Sequence, residues 1–315
     1  MSIRSSLLSV VAALAALVLL STAWILGEAW LRHDVASRVA EANPVTDQLL
    51  LGAGHWAVER GTTASALAAP DAAGAAILGI IGQRRAEGDA ALQAALDGLA
   101  ATPDFAGKAD RIREVGTLLE AVRTLRRQAD RDLALPKAQR DGRLAAAWVP
   151  AATRLIGASQ ELRLSVTQAT AGREATLADL QALRHFAWIM SEYAGRERAQ
   201  VGSAIAAGEP MGSERSALLA GLRGQVELAW AMVQTLGESA PPAVGAEIAR
   251  VRAAFFEAFE QMRREVYVAG AAGRPYPLDA PAWIARSTEA IDTILGLQRA
   301  ATDAVAAEVA SAGAA

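Results

Sequence analysis

The chain has no cysteine, which excludes disulfide staples and thiolate metal or redox centres. Histidine is nearly as scarce: His33, His55 and His185 stand without the spacing of metal ligands, so no metal site is expected. Aromatic residues make up 5% of the sequence, and runs of Val, Ile, Thr and Tyr of the kind that form strands are missing. An apolar content of 52%, much of it Ala, is enough for a sizeable core and leaves helix packed on helix as the expected architecture. Neither sign of charge dominates. With a formal net charge of −3 and a pI near 5.8 the chain lacks the basic surface of a nucleic-acid binder, and no nucleic-acid partner is expected. Phosphate loops, nucleophile elbows, His-Glu-x-x-His motifs and dinucleotide fingerprints are missing too, so neither an enzyme nor a cofactor is expected.

What is present begins with an uncharged run. From Ser5 to Gly27 no residue carries a charge, with Arg4 before the run and Trp24 and Trp30 near its far end. Such a run is long enough to cross a bilayer as a helix, and Trp marks the interface. A cleaved signal peptide competes, with Leu7 to Leu20 as its apolar core and Ser21-Thr-Ala23 as small residues at a cleavage-like site. Because Trp24-Ile-Leu-Gly27 prolongs the run and helical periodicity continues beyond it, an anchor is favoured, with the N-terminus in the cytoplasm and the remainder in the periplasm.

Beyond the anchor, turn signals cut the chain into long helices: Ala69-Pro70, Thr102-Pro103, Leu135-Pro136, Gly208-Glu-Pro210, Ala240-Pro241-Pro242 and Gly273-Arg-Pro275. Some of these breaks recur at one spacing, Pro103 with Pro241 and Pro70 with Gly208, which argues for internal duplication. The expected fold is all-α: elongated tandem four-helix bundles behind a transmembrane helix, with residues 1–30 as stub and anchor, 31–147 as the first helical unit and 148–315 as the second. Helices are expected near 31–69, 72–101, 105–135 and 137–147, then 151–207, 212–239, 243–272 and 280–313. Asn43-Pro44 and Trp148-Val-Pro150 are expected to kink or break their helices, and Asp279 to cap the last one.

The duplication matters most at one motif. Trp56-Ala-Val-Glu59-Arg60 through Ser65 and Ala194-Gly-Arg-Glu197-Arg198 through Ser203 repeat a Glu-Arg pair followed five residues after the Arg by Ser, at a spacing of 138 residues. Steps of three and four place Arg60 on one helix face with Val45, Leu49, Gly52, Trp56, Thr63 and Leu67, and Arg198 on another with Leu183, Ala187, Met190, Ala194, Val201 and Ile205. Each guanidinium thus interrupts an apolar stripe, where burial is costly without an acceptor or anion. Arg85 and its repeat mate Arg223 stand on similar stripes of the next helices. Two readings of the first pair stay open. Either Glu197 neutralises Arg60 and Glu59 neutralises Arg198 across a pseudo-twofold axis, or the two guanidinium groups converge on a small external anion.

The ordered set Glu59-Arg60-Gly61, Arg85, Ala194-Gly-Arg-Glu197-Arg198-Ala199 and Tyr276-Pro-Leu-Asp-Ala-Pro-Ala-Trp283 resembles the nitrate- and nitrite-sensing (NIT) domain of bacterial chemoreceptors, sensor kinases and antiterminators. The resemblance covers roughly residues 45–310, and Ala199 departs from the Gly61 of the first copy. It implies a helical double bundle that binds nitrate or nitrite between Arg60 and Arg198, with Arg85, Arg223, Glu59 and Glu197 as further candidate site residues. It also implies a periplasmic chemotaxis-type sensor in the inner membrane, with a small anion, the membrane and a second copy in a homodimer as partners. The rival expectation is a ligand-free helical scaffold for a partner protein. Receptors of this kind continue into a second membrane helix and an output module; the sequence stops at Ala315 with neither, so a longer parent chain or a separate partner is expected.

Overall fold

Ala-rich segments bounded by Pro and Gly form helices here and nothing else. A computed structural model describes the backbone of residues 3–170 and 175–314 and the side chains of residues 14–27, 30, 37–170 and 175–311. Among the described residues there are nine α-helices and no strand: α1 (Ile3–Ala68), α2 (Ala75–Gly98), α3 (Lys108–Leu133), α4 (Gly142–Thr170), α5 (Ala175–Ala207), α6 (Ser213–Gly237), α7 (Pro242–Val251), α8 (Phe259–Ala271) and α9 (Ala280–Ala314). Helices α7 and α8 are joined without a loop by a π-helical segment, Arg252–Ala258.

The helices form two four-helix bundles, with α7 and α8 together as one rod of the second. In the first, α1 packs along α2 and α4, and α3 along α4; in the second, α5 packs along α6 and α9, and α7 along α9. Leu49, Trp56, Leu92, Trp148, Leu155 and Leu162 fill the first core, and Leu183, Met190, Leu219, Phe255, Trp283 and Ile294 the second. The bundles meet where α1 lies against α5 and α9. Contacts Thr46–Arg184 and Arg60–Glu192 show that α1 and α5 run in the same direction, as a duplication about an axis along the bundle requires.

One expected break does not occur. Helix α1 continues through Pro44, as its expected bounds require, but α4 also continues through Trp148-Val-Pro150, as far as Thr170. A proline inside a helix costs roughly 3 kcal/mol. In α4 that cost is outweighed because Trp148, Ala151, Ala152, Leu155, Ile156, Leu162 and Val166 all bury one face against the first bundle. The expected helices 137–147 and 151–207 are therefore replaced by α4 and α5, which end and begin on either side of 171–174. There the sequence supplies Gly172 but no proline, a weaker signal than the one at Pro150.

The turns at the far end are held differently in the two halves. Arg140 donates from Nη1 to the carbonyls of Ala66, Leu67 and Ala69, from Nη2 to Asp71, and from Nε to Asp132 and Leu135, closing the C-terminus of α1. At the end of α5, Gly208 takes φ +64° and Tyr276 donates its hydroxyl to the Glu209 carbonyl. Asp279 caps α9 as expected, its carboxylate accepting the Ala282 N–H at 2.8 Å.

Among the described residues no helix is long and apolar enough to cross a membrane. Of the expected anchor, residues 5–13, with the flanking Arg4, Glu28, Arg32 and Asp34, have side chains outside the described set. Leu14, Leu17, Val18, Leu19, Leu20, Trp24, Ile25 and Leu26 are all exposed.

Candidate functional site

The duplicated Arg residues sit in matching frames. The indole N–H of Trp148 donates to the Arg60 carbonyl at 3.0 Å, and that of Trp283 to the Arg198 carbonyl at 2.9 Å. Both indoles are fully buried, so each locks the rotation of an Arg-bearing helix against its antiparallel neighbour. Five residues after each Trp comes a Thr: Thr153 accepts from Arg60 Nη1 at 3.0 Å, and Thr288 from Arg198 Nη1 at 2.7 Å. Neither Thr stands out in the sequence alone. The repeated spacing from Trp148 to Thr153 and from Trp283 to Thr288 was the available signal.

The frames differ in what completes them. Arg60 is buried and forms a fork with Glu192 of α5, Nη1 to Oε1 at 2.7 Å and Nη2 to Oε2 at 3.0 Å. Arg196 Nε also donates to Glu192 Oε1, at 2.8 Å. Burial works against the charge of Glu192, but Arg60 and then Arg196 outweigh it and hold the carboxyl below its usual range. Arg198 is only partly buried and, among the described residues, has no carboxylate within 4 Å. Burial lowers its proton affinity, Asp292 opposes that, and the positive charge of nearby Arg60 lowers it further. The two guanidinium groups therefore feel each other across the seam. In α1 the repeat position of Glu192 is Gly54, which is exposed and where a Cβ would meet nothing within 4 Å. Thr63, one turn beyond Arg60, keeps a buried hydroxyl with no hydrogen-bond partner.

The carboxylate partners expected from sequence are corrected. Glu59 does not meet Arg198; it accepts a fork from Arg126 at 2.8 and 2.6 Å and a third bond from Arg85 Nε at 3.1 Å. Glu197 does not meet Arg60; it accepts from Arg263 Nη1 at 2.9 Å and from the Tyr267 hydroxyl at 2.5 Å. Glutamates adjoining their own Arg point about 100° away around the helix, and each is taken up by the third helix of its own bundle. Arg85 also binds Asp130 at 2.9 and 3.0 Å. Arg223 binds Glu227 and Glu260 at 2.9 and 3.0 Å and lies over Phe255 and Phe256, with Nη1 buried and unpartnered. Arg85, Arg223, Glu59 and Glu197 thus belong to ion-pair networks within each bundle, whereas Arg60, Arg198 and the unforeseen Glu192 occupy the seam between bundles. Among the described residues no group of three acidic or His side chains is placed to hold a metal.

A family model for nitrate and nitrite sensing matches residues 55–310. The chain belongs to the nitrate and nitrite sensing family. The matched range contains both Arg residues, both Trp residues, both Thr residues and Glu192. Among solved structures, that of the NasR transcription antiterminator is similar to this chain, with a TM-score of 0.72 at 16% identity, covering 94% of this chain and 76% of that one. At that identity the likeness is one of fold. No curated protein matches the sequence.

Proposed function

We propose that this chain is a membrane-anchored sensor in which Arg198, opposite Arg60, binds nitrate or nitrite between two helical units that divide after α4. The observation that carries the reading is Arg198, a partly buried guanidinium that, among the described residues, hydrogen-bonds neutral Thr288 and has no carboxylate within 4 Å, Asp292 acting on it from further away. A cation drawn out of water without a counter-charge is costly, and an oxyanion would supply charge-assisted hydrogen bonds of about 1.5–3 kcal/mol each. Partial exposure of Arg198 gives the ligand a way in.

The anchor reading is supported by the uncharged run Ser5–Gly27 and by consecutive exposed apolar residues Leu17 to Leu20, which cover every face of the helix. An anchor there puts the bundles in the periplasm of an inner-membrane protein. Ligand bridging α1 and α5 would bias the seam between two arrangements and pass a small shift along α1 toward the membrane, in a homodimer facing a signalling output.

Calorimetric titration of the full chain in detergent micelles with nitrate and nitrite tests the site. Wild type is expected to bind, and Arg198→Ala to bind at least about tenfold more weakly. Equal affinity in the two proteins refutes the assignment. Failure of nitrate to bind or to raise the melting temperature favours the scaffold reading instead.

A further inference from the structure

The planar fork of Arg60 is already filled. Glu192 presents two oxygens from one central atom to Nη1 and Nη2, at 2.7 and 3.0 Å. An edge of nitrate presents the same pattern: two oxygens on one planar centre, sharing negative charge. Resting on the nitrate-binding reading above, we propose that Glu192 is a built-in surrogate for the ligand, which an incoming planar oxyanion displaces from Arg60.

The surroundings of Glu192 suit displacement. Arg196 lies four residues on in the same helix, donates Nε to Oε1 at 2.8 Å, and stacks its guanidinium over Tyr193 with 4.9 Å to the ring centroid. Arg196 is partly exposed. A carboxylate that leaves Arg60 therefore keeps a cationic partner on its own helix and is not stranded as a bare buried charge. Arg60, in turn, gains the anion that also compensates Arg198. Before exchange the tie between α1 and α5 runs from Arg60 to Glu192; after it, the tie runs from Arg60 through the anion to Arg198, six residues or about 9 Å further along α5. Displacement also selects by shape. A planar oxyanion meets the two arms of the vacated fork with two oxygens, as Glu192 does, whereas a spherical halide offers both arms a single acceptor atom.

The test uses the full chain in micelles, titrated with nitrate and with chloride, as wild type and as Glu192→Gln. Removing the competing charge is expected to tighten nitrate binding on the order of tenfold. In glutamate-labelled wild type, the 13C carboxyl resonance missing from the Glu192→Gln spectrum is expected to move when nitrate is added. Affinity that is unchanged or weaker in the variant, or a Glu192 resonance that stays still while nitrate binds, overturns the surrogate role and leaves the Arg198 site intact. If neither protein binds nitrate, the underlying reading falls, and the inference with it. Should the variant not fold, the wild-type resonance assigned through its backbone decides alone.

Discussion

In the first bundle Arg60 is framed by Trp148 and Thr153 and completed by Glu192; in the second, Arg198 is framed by Trp283 and Thr288 and, among the described residues, has no carboxylate within 4 Å, Asp292 acting on it from further away. Both frames come from the same duplicated scaffold, so the difference is not one of backbone. At the repeat positions the sequence carries Glu192 in α5 and Gly54 in α1. Packing groups are repeated because each bundle needs its core, while the counter-charge is not. One arm of the seam is thereby a closed ion pair and the other an open cation. The two copies of one design are in this way separated in their charge pairing.

The largest expected effect tests that separation through stability. Arg60→Ala leaves Glu192 buried with Arg196 as its one remaining charged partner, and breaking a buried pair from one side costs about 3–5 kcal/mol. Arg198→Ala removes a cation that has no ion-pair partner within 4 Å among the described residues and is expected to change stability by less than about 1 kcal/mol in ligand-free buffer. Urea unfolding of both variants without nitrate checks the contrast. Equal losses would mean that the two arms are structurally equivalent and that the open cation is not open.

Reading the sequence located the duplicated Arg positions because an Arg on an apolar stripe, repeated at one spacing, is a local pattern. Ala-rich composition without strand runs likewise made an all-helical chain legible, and Asp279 before Pro281 the cap of α9. Partners were not legible, since they depend on how separate helices are set against each other. Glu192 sits six residues before Arg198 in the same helix yet binds Arg60 across the seam. Arg126, Arg263 and Tyr267 reach Glu59 and Glu197 from the third helix of each bundle, at sequence separations of 66 to 70 residues. The boundary between α4 and α5 was not legible because burial outweighs proline at Pro150, which lies in a helix whose inner face is largely apolar.

A sharper test would rebuild the missing counter-charge. Gly54→Glu places a carboxylate at the repeat position of Glu192, in a place where a side chain enters open space. It is expected to pair with Arg198, to weaken nitrate binding by about 30-fold, or roughly 2 kcal/mol, and to stabilise the helix as Gly is removed from its interior. Calorimetry and thermal melting read both effects. A variant that melts higher yet binds nitrate as wild type does would show that Gly54 is not what leaves Arg198 open.

The smallest effect concerns the other crossing of α1 and α5, about 20 Å along the bundle from Arg60, where the roles of the helices are reversed. Here α1 supplies the carboxylate and α5 the cation, Asp47 Oδ1 accepting from Arg184 Nη1 at 2.5 Å. Arg163 adds a second buried cation, 2.9 Å from His185 Nδ1, and since an arginine can only donate, that nitrogen is the acceptor and the ring is neutral. Burial first, and the charge of Arg163 second, push His185 down to about 4. Between that value and the unfolded value near 6.5 the unfolded chain binds a proton that the fold refuses, so stability falls as pH drops through this window. The expected loss between pH 7 and pH 5 is about 1–2 kcal/mol, allowing for the ring's partial exposure. Asp47, whose carboxyl burial raises, titrates in the opposite sense, so the informative quantity is the difference between wild type and His185→Asn. Urea midpoints at the two pH values should shift less in the variant. An identical shift in both would place the pH response elsewhere and leave the two crossings of the seam alike in their titration, contrary to the reversed arrangement described.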